Sequence, residues 1–196
     1  MKAASKFLLL SLALVSNSCK DEKTVAEDDL HFRLQNLENA GWKSKNITQR
    51  IDDISYGATE VPIQYYLLKE IGSDKPMVID SLYRVNKSER VFEVVFSQDD
   101  MKDLLSEEFT HMDYQSAAKY LSFNIQEDFY AVTNKNDTVR CSGVTLERNP
   151  GASAQSKVMV FFSDINPNQQ LQLIYNDRLF GKGLVKFKFK ETTIKL

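Results

Sequence analysis

The sequence predicts a mainly β protein, an immunoglobulin-like antiparallel β-sandwich with a few short helices. Three observations support this fold class. The C-terminal half contains short segments rich in β-branched and aromatic residues, these segments are separated by turn sequences built from Asn, Pro and Gly, and the last of them alternates strictly between apolar residues and Lys. Strands at this spacing are typical of a sandwich or barrel rather than of a parallel sheet with crossover helices.

The first part of the domain predicts two short amphipathic helices. Three leucines within residues 30–37 share one helical face, although the alternation of Leu30, Phe32 and Leu34 suits a strand equally well. Between Asn46 and Gly57, three isoleucines recur at helical spacing, and the glycine is a suitable stop.

In the middle of the chain the apolar pattern changes period twice. Three segments rich in β-branched and aromatic residues predict a meander of strands over residues 61–71, 77–85 and 91–96. Between Ser97 and Leu121 the helical period returns, and it predicts two short helices that cover an open end of the sheets.

Five further strands are predicted over residues 129–133, 138–147, 157–162, 171–175 and 184–190. Residues 158–162 are apolar at every position, which favours a central strand. In the last strand one face is Val-Phe-Phe and the other is formed by Lys186, Lys188 and Lys190. Repeated Lys is typical of an exposed edge strand. The alternative is a basic stripe that meets an anionic glycan or lipid headgroups.

The N-terminal segment has the layout of a secretory signal. Lys2 and Lys6 precede an apolar run over residues 7–15, and small polar residues then lead to Cys19. The apolar run is about half the ~20 residues that a spanning helix needs, so a permanent transmembrane helix is disfavoured.

A small residue directly before Cys19 resembles the lipobox of bacterial lipoproteins, and the following Lys20, Asp21 and Glu22 resemble the surface-export signal of Bacteroidota-type lipoproteins. The resemblance implies cleavage after Ser18, acylation of Cys19 by fatty acids such as palmitate, and anchoring in the outer membrane, facing outside. The alternative is an ordinary cleaved signal peptide that leaves a soluble periplasmic protein.

These features divide the chain into three parts: a lipoprotein signal peptide (1–18), a lipidated N-terminus and tether (19–29), and a single β-rich domain (30–196). The formal net charge is −2, and cleavage removes Lys2 and Lys6. An acidic mature chain argues against nucleic-acid binding, which requires a basic face.

The sequence predicts no catalytic residue, no cofactor and no metal site. His31 and His111 are far apart and match no zinc spacing, and Cys141 in a strand-like context reads as a buried inert thiol. Asp128, Asp164 and Asp177 follow or precede strands, and their convergence on a cation is the less favoured alternative to solvated strand ends.

Two tripeptides resemble the Asp-Ser/Thr-apolar acceptor of Bacteroidota-type O-glycosylation and mark Ser81 and Thr138. Thr138 is the better candidate because it lies next to a predicted hairpin tip. Four aromatic residues could stack on a sugar, although core packing is the commoner role for such residues: Trp42, Tyr65, Tyr66 and Phe109.

The resulting functional hypothesis is a binding or structural module of the cell envelope, held on the membrane by its N-terminal lipid, with an envelope protein or a glycan as its partner. Two other classes remain open. A surface hydrolase acting on glycan or peptide would need a pocket with two carboxylates or a Ser/His pair. An envelope inhibitor or immunity protein would present a long acidic loop surface.

Overall fold

The structure is a computed structural model that describes residues 46–190 except 73, 101 and 148–153, together with Phe32. The signal peptide, Cys19, the export signal and Trp42 lie outside the described residues. The described strands are β1 (Asn46–Ile51), β2 (Ile54–Val61), β3 (Arg90–Gln98), β4 (Phe129–Thr133), β5 (Thr138–Arg140), β6 (Gly143–Glu147), β7 (Gln155–Phe162), β8 (Leu171–Asp177) and β9 (Gly183–Phe189).

Four α-helices lie between these strands: α1 (Ile63–Ile71), α2 (Pro76–Asn86), α3 (Glu107–Thr110) and α4 (Tyr114–Lys119). A π-helical turn (Tyr120–Asn124) and a 3₁₀ turn (Ile125–Asp128) follow α4 and lead into β4. None of the helices in the described part of the chain is long and apolar enough to cross a bilayer.

The strands form two antiparallel sheets that face each other. Sheet A has the order β1-β2-β3-β7-β6 and sheet B the order β5-β4-β8-β9. Aromatic side chains from the inner faces meet between the sheets, with ring centroids 5.3 Å apart for Phe96 and Tyr175 and 5.2 Å apart for Phe92 and Phe189. The predicted mainly β sandwich with a few short helices is confirmed.

Helix α1 covers the outer side of sheet A, and α2 packs against α1. That side presents Val61, Val91 and Met159, which are buried beneath Tyr65 and Tyr66 of α1. We call this apolar surface the covered face. The two helices pack against each other through Leu67, Leu68 and Ile79.

The sandwich has two ends that the chain connections define. At the entry end, Asn46 begins β1 opposite Thr59, and Val61 leads into α1. At the far end, the β1–β2 turn lies beside the β8–β9 turn, where Lys182 forms ion pairs with Asp52 and Asp53.

Three N-terminal predictions are wrong. Residues 46–57 form the β1–β2 hairpin instead of a helix, and residues 61–71 and 77–85 form α1 and α2 instead of strands. Ile47 and Ile51 share one face of β1 because a spacing of four fits both period 2 and period 3.6, and Ile54 begins β2 directly opposite Ile51. In α1 and α2 an apolar stripe packs helix on helix, and this tertiary contact overrides the β propensity of Ile, Val and Tyr.

The C-terminal predictions are largely confirmed. Predicted strand 138–147 is divided into β5 and β6 because the chain passes from sheet B to sheet A at Cys141 and Ser142. Strand β7 is internal, between β3 and β6, and β9 is an edge strand with its three aromatic and aliphatic residues inward and its lysines outward. Of the two helices predicted over 97–121, the second is α4, whereas β3 extends to Gln98 and the first helix is reduced to α3.

Candidate functional site

The outer side of sheet B carries no covering helix in the described structure, and we call it the open face. The strand register places one residue from each strand in a row across it: Arg140, Tyr130, Ile174 and Lys186. Adjacent strands lie about 4.8 Å apart, so the backbones of Arg140 and Lys186 are separated by roughly 14 Å. The row is long enough to contact several units of an extended ligand.

The open face is cationic although the chain as a whole is acidic. Arg140 on edge strand β5 and Lys186 and Lys188 on edge strand β9 are exposed. The outward positions of the four described strands include no acid, because the single carboxylate in these strands, Asp177, points into the core. An anionic ligand on this face would therefore meet cations from both edges and no repulsive carboxylate within the sheet.

Two depressions lie along the open face. The first has a volume of about 610 Å³ and is lined by Gln126, Glu127, Phe129, Tyr130, Thr138, Arg140 and Cys141. The second, of about 330 Å³, lies towards the β4–β5 turn and includes Asn134, Asn136, Gln172 and Lys188. Volumes of this size are typical of small-molecule sites, and amides, hydroxyls and one aromatic ring are the groups that bind sugars.

Glu127 is the one carboxylate that lines either depression. A glycosidase of the usual two-carboxylate type needs a facing pair. Neither depression brings such a pair together, so their geometry fits binding better than hydrolysis.

Cys141 lies at the inner wall of the first depression. Burial raises the pKa of its thiol to about 11. Hydrogen bonds with the backbone of Gly143 and Phe161 act to lower the pKa, but burial has the larger effect. Its Sγ donates to the carbonyl oxygen of Gly143 at 3.1 Å. The thiol is therefore protonated and poorly nucleophilic at neutral pH, as predicted for an inert buried cysteine.

A second polar cluster is buried at the far end of the core. Tyr56 donates its hydroxyl hydrogen to Oδ2 of Asp177 at 2.6 Å, and Asp177 also accepts from the backbone amides of Phe180 and Lys182. Burial, followed by the hydrogen bond to Asp177, raises the pKa of Tyr56. The carboxylate is fully occupied in fixing the β8–β9 turn, where Gly181 adopts φ +70.

Asp128 forms the other half of this cluster. It accepts from the Tyr120 hydroxyl at 2.5 Å and from Nε of Arg178 at 2.6 Å. Burial is the main cause of the raised pKa of Tyr120, whose hydroxyl also lies 3.4 Å from that of Tyr175. The cluster satisfies its own donors and acceptors, so it stabilises the far end instead of presenting a reactive group.

The alternative of a cation bound by three strand-end aspartates fails in this structure. Asp128 and Asp177 both lie at the far end but are occupied by Tyr and Arg partners. Asp164 is exposed in the turn after β7. The backbone amide of the next residue, Ile165, donates to the carbonyl oxygen of Ser88, which places this turn at the entry end. Within the described residues, no group of three or more His, Cys, Asp or Glu side chains could hold a metal ion.

The entry end of the core is closed by a buried ion pair. Glu60 and Arg90 contact each other, and Arg90 also donates to the carbonyl oxygens of Asn166 and Gln169. Burial raises the pKa of Glu60, and the hydrogen bond and charge of Arg90 oppose that rise. The pair fastens the β7–β8 loop onto sheet A.

The residues predicted from short motifs are dispersed over the surface. Ser81 is on α2, where its hydroxyl donates to the Met77 carbonyl oxygen at 2.8 Å, and Thr138 is exposed at the start of β5. Of the aromatic residues for which core packing was the favoured role over sugar stacking, Tyr66 packs edge-on against Phe161 at a centroid distance of 5.1 Å, and Phe109 is buried in the core.

The sequence interpretation missed Tyr130 and Arg140. They face each other across the β4–β5 hairpin, which is a cross-strand pair. The available signal was the Asn-rich turn at residues 134–137, since a hairpin at that position pairs the residues on either side of it.

No family model matches the chain, and no curated protein matches it. Two solved structures resemble it weakly. A DUF4426 family protein from Pseudomonas aeruginosa has a TM-score of 0.41 and 11% identity, over 74% of this chain and 94% of that chain. A protein of unknown function from Burkholderia pseudomallei has a TM-score of 0.36 and 8% identity, over 85% of this chain and 86% of that chain.

Proposed function

We propose that this protein is an outer-membrane lipoprotein, anchored through Cys19 and facing outside, whose sandwich binds an anionic glycan of the cell envelope on its open face. The observation that carries the binding role is the row of Arg140, Tyr130 and Lys186 across a sheet face without acids. Arg140 and Lys186 would bind carboxylate or sulfate groups, and the half-buried ring of Tyr130 would lie against a sugar ring.

The membrane address rests on the N-terminal sequence. The signal-like segment, the small residue before Cys19 and the Lys-Asp-Glu that follows support it. Labelled palmitate should enter the wild-type protein and should not enter Cys19→Ser, which should leave the membrane fraction. Retention of the serine variant in the membrane would contradict the lipid anchor.

The binding role is tested with a matched pair of ligands. Oligogalacturonate and its methyl-esterified form share one sugar backbone, but only the first carries carboxylates. Titration calorimetry with the full chain should detect the charged form, and added salt should weaken its binding because exposed charges are screened. Equal binding of the esterified form would refute an electrostatic site.

Substitution separates the open face from general surface charge. Arg140→Gln should weaken oligogalacturonate binding by about tenfold or more, since charge-assisted hydrogen bonds contribute about 1.5–3 kcal/mol. Lys119→Gln is the control. Lys119 is an exposed cation on α4, so this substitution removes the same charge at a site away from the open face. An equal loss in both variants would show that net charge alone matters.

A second candidate, the envelope inhibitor, is favoured by one observation. The described residues of segment 99–113 expose Asp99, Asp100, Glu107, Glu108 and Asp113. Recovery of a stoichiometric protein partner from intact outer membranes, lost when Glu107 and Glu108 become Gln, would support this candidate over glycan binding.

A further inference from the structure

Helix α2 exposes an apolar surface that the sandwich does not use. Met77 and Val85 lie two turns apart on one side, with Val78 beside them, and their exposed fractions are 48%, 81% and 47%. The opposite side of α2 packs Ile79, Leu82 and Tyr83 against α1. The solvent side of a helix in an outer layer is normally polar, so an apolar solvent side indicates a contact surface.

Three cations border this surface, together with the acids Asp74 and Asp80. Lys75 directly precedes α2, Lys87 directly follows it, and both are exposed. Arg84, on the last turn, is 77% exposed and pairs with Asp80 at 2.7 Å. An apolar helix side bordered by Lys and Arg is the composition of helices that lie in the interface of a lipid bilayer.

The first described strand begins at the end of the sandwich that carries this helical layer. Residues before Asn46 join the domain at the entry end, where β2 passes into α1 and where the residues after α2 pass into β3. The stretch between Cys19 and Asn46 could span at most about 90 Å. A lipid at Cys19 would therefore hold the helical layer within reach of the bilayer.

We propose that the exposed side of α2 rests on the lipid bilayer surface, with Met77, Val78 and Val85 entering the boundary between headgroups and acyl chains and Lys75 and Lys87 contacting lipid phosphates. The proposal rests on the lipid anchor proposed above. The anchor makes this contact an intramolecular event at millimolar effective concentration, so three aliphatic side chains suffice. Sheet B lies on the other side of sheet A from α1.

The membrane contact has a consequence for Ser81. This residue lies between Met77 and Val85 on the same side of α2. A glycan on Ser81 would hold that side away from lipid, so the proposal requires Ser81 to be unmodified and leaves Thr138 as the glycosylation candidate. Mass analysis of the native protein should find the tryptic peptide that contains Ser81 without a sugar.

The direct test compares two labelled positions with nearly equal exposure. Val85→Cys and Phe123→Cys variants, exposed 81% and 77% in the parent protein, are labelled with an environment-sensitive fluorophore in the full lipidated chain. Phe123 belongs to the turns that connect α4 to β4, next to the far-end cluster, and serves as the control. The probe is a vesicle of phosphatidylcholine and phosphatidylglycerol, with and without nitroxide-labelled lipid.

The label at position 85 should shift to shorter emission wavelength and lose about half its emission on addition of nitroxide lipid, because interfacial helices bury their apolar side ~5–10 Å deep. The label at position 123 should behave as in water. Adding Met77→Ser and Val78→Ser to the labelled Val85→Cys protein should abolish the shift while the protein still floats with the vesicles.

Two results with vesicles would overturn the proposal while leaving the lipid anchor intact: the label at position 85 is not quenched in floating protein, or the label at position 123 is quenched more strongly than the label at position 85. A third result would do the same and would identify a protein partner: the label at position 85 is shielded from water in native outer membranes but not in protein-free vesicles. Failure of the wild-type chain to float would overturn the anchor, and the membrane contact with it.

Discussion

The two outer faces of the sandwich differ in what covers them: a helix covers one, and the other is exposed to solvent. The covered face of sheet A lies under α1, and the residues beneath that helix are apolar: Val61, Val91, Met159 and Phe161. The open face of sheet B meets solvent and carries Tyr130, Arg140, Lys186 and Lys188. The difference explains why β7 is apolar at successive positions whereas β9 alternates, since a strand buried on both sides needs apolar residues on both.

The largest expected effect comes from placing a charge on each face. Val91→Asp buries a carboxylate at a position with 0% exposure and should lower the free energy of unfolding by about 3 kcal/mol or more. Val132→Asp, on the open face, should cost about 1 kcal/mol or less. Urea unfolding measures both, and similar losses would mean that the two faces are equally buried in solution.

The contact between α1 and the covered face can be measured separately. Tyr66→Ala and Phe161→Ala should each cost about 2 kcal/mol, and a double-mutant cycle should give a coupling of about 0.5–1.5 kcal/mol because the rings pack edge to face at 5.1 Å. Tyr130→Ala on the open face is the control and should cost less than about 1 kcal/mol. Strictly additive single losses would show that the helix does not pack as described.

A smaller effect concerns the ion pairs at the margin of the covered face. Glu147 contacts Lys69 and lies 2.7 Å from Lys157. Burial acts to raise the pKa of Glu147, but the hydrogen bonds from Lys157 and then Lys69 outweigh it and lower the pKa. A lowered pKa in the folded state adds stability above the unfolded-state pKa, and this stability is lost as pH falls through the folded-state value.

Glu147→Gln should therefore lower stability at pH 7 by less than about 1 kcal/mol and leave stability unchanged near pH 2, where the wild-type carboxyl is protonated. Unfolding curves at the two pH values give the comparison. An equal deficit of the variant at both would assign the effect to packing instead of charge.

The smallest effect on stability is expected on the open face. Replacing Lys186 and Lys188 by Thr should change the free energy of unfolding by less than about 0.5 kcal/mol, since both side chains are exposed. Self-association should nevertheless increase, because β9 is an edge strand and Lys discourages edge-to-edge pairing. Light scattering at rising protein concentration measures this, and a monodisperse variant would contradict the role of the lysines in preventing edge-to-edge pairing.

The comparison of the two faces also shows what could be predicted. The alternation of β9 identified an edge strand with one wet face, and the uniform apolarity of residues 158–162 identified an internal strand. The covering helices were missed, because the apolar residues of α1 and α2 include the same Ile, Val and Tyr that favour strands. Only the lysines of the open face were identified from the sequence. Arg140 lies on the same face because β5 and β9 belong to one sheet, and the sequence does not show the order of strands in a sheet.

By itself, the sequence determined the features that depend on neighbouring residues. These are the turns of the C-terminal half and the alternation that marks β9. Tertiary structure decided which segments became helices and which cations share a face, because both depend on contacts between residues far apart in the chain. A period in the sequence specifies which side of an element is apolar, and only the packed molecule specifies what covers that side.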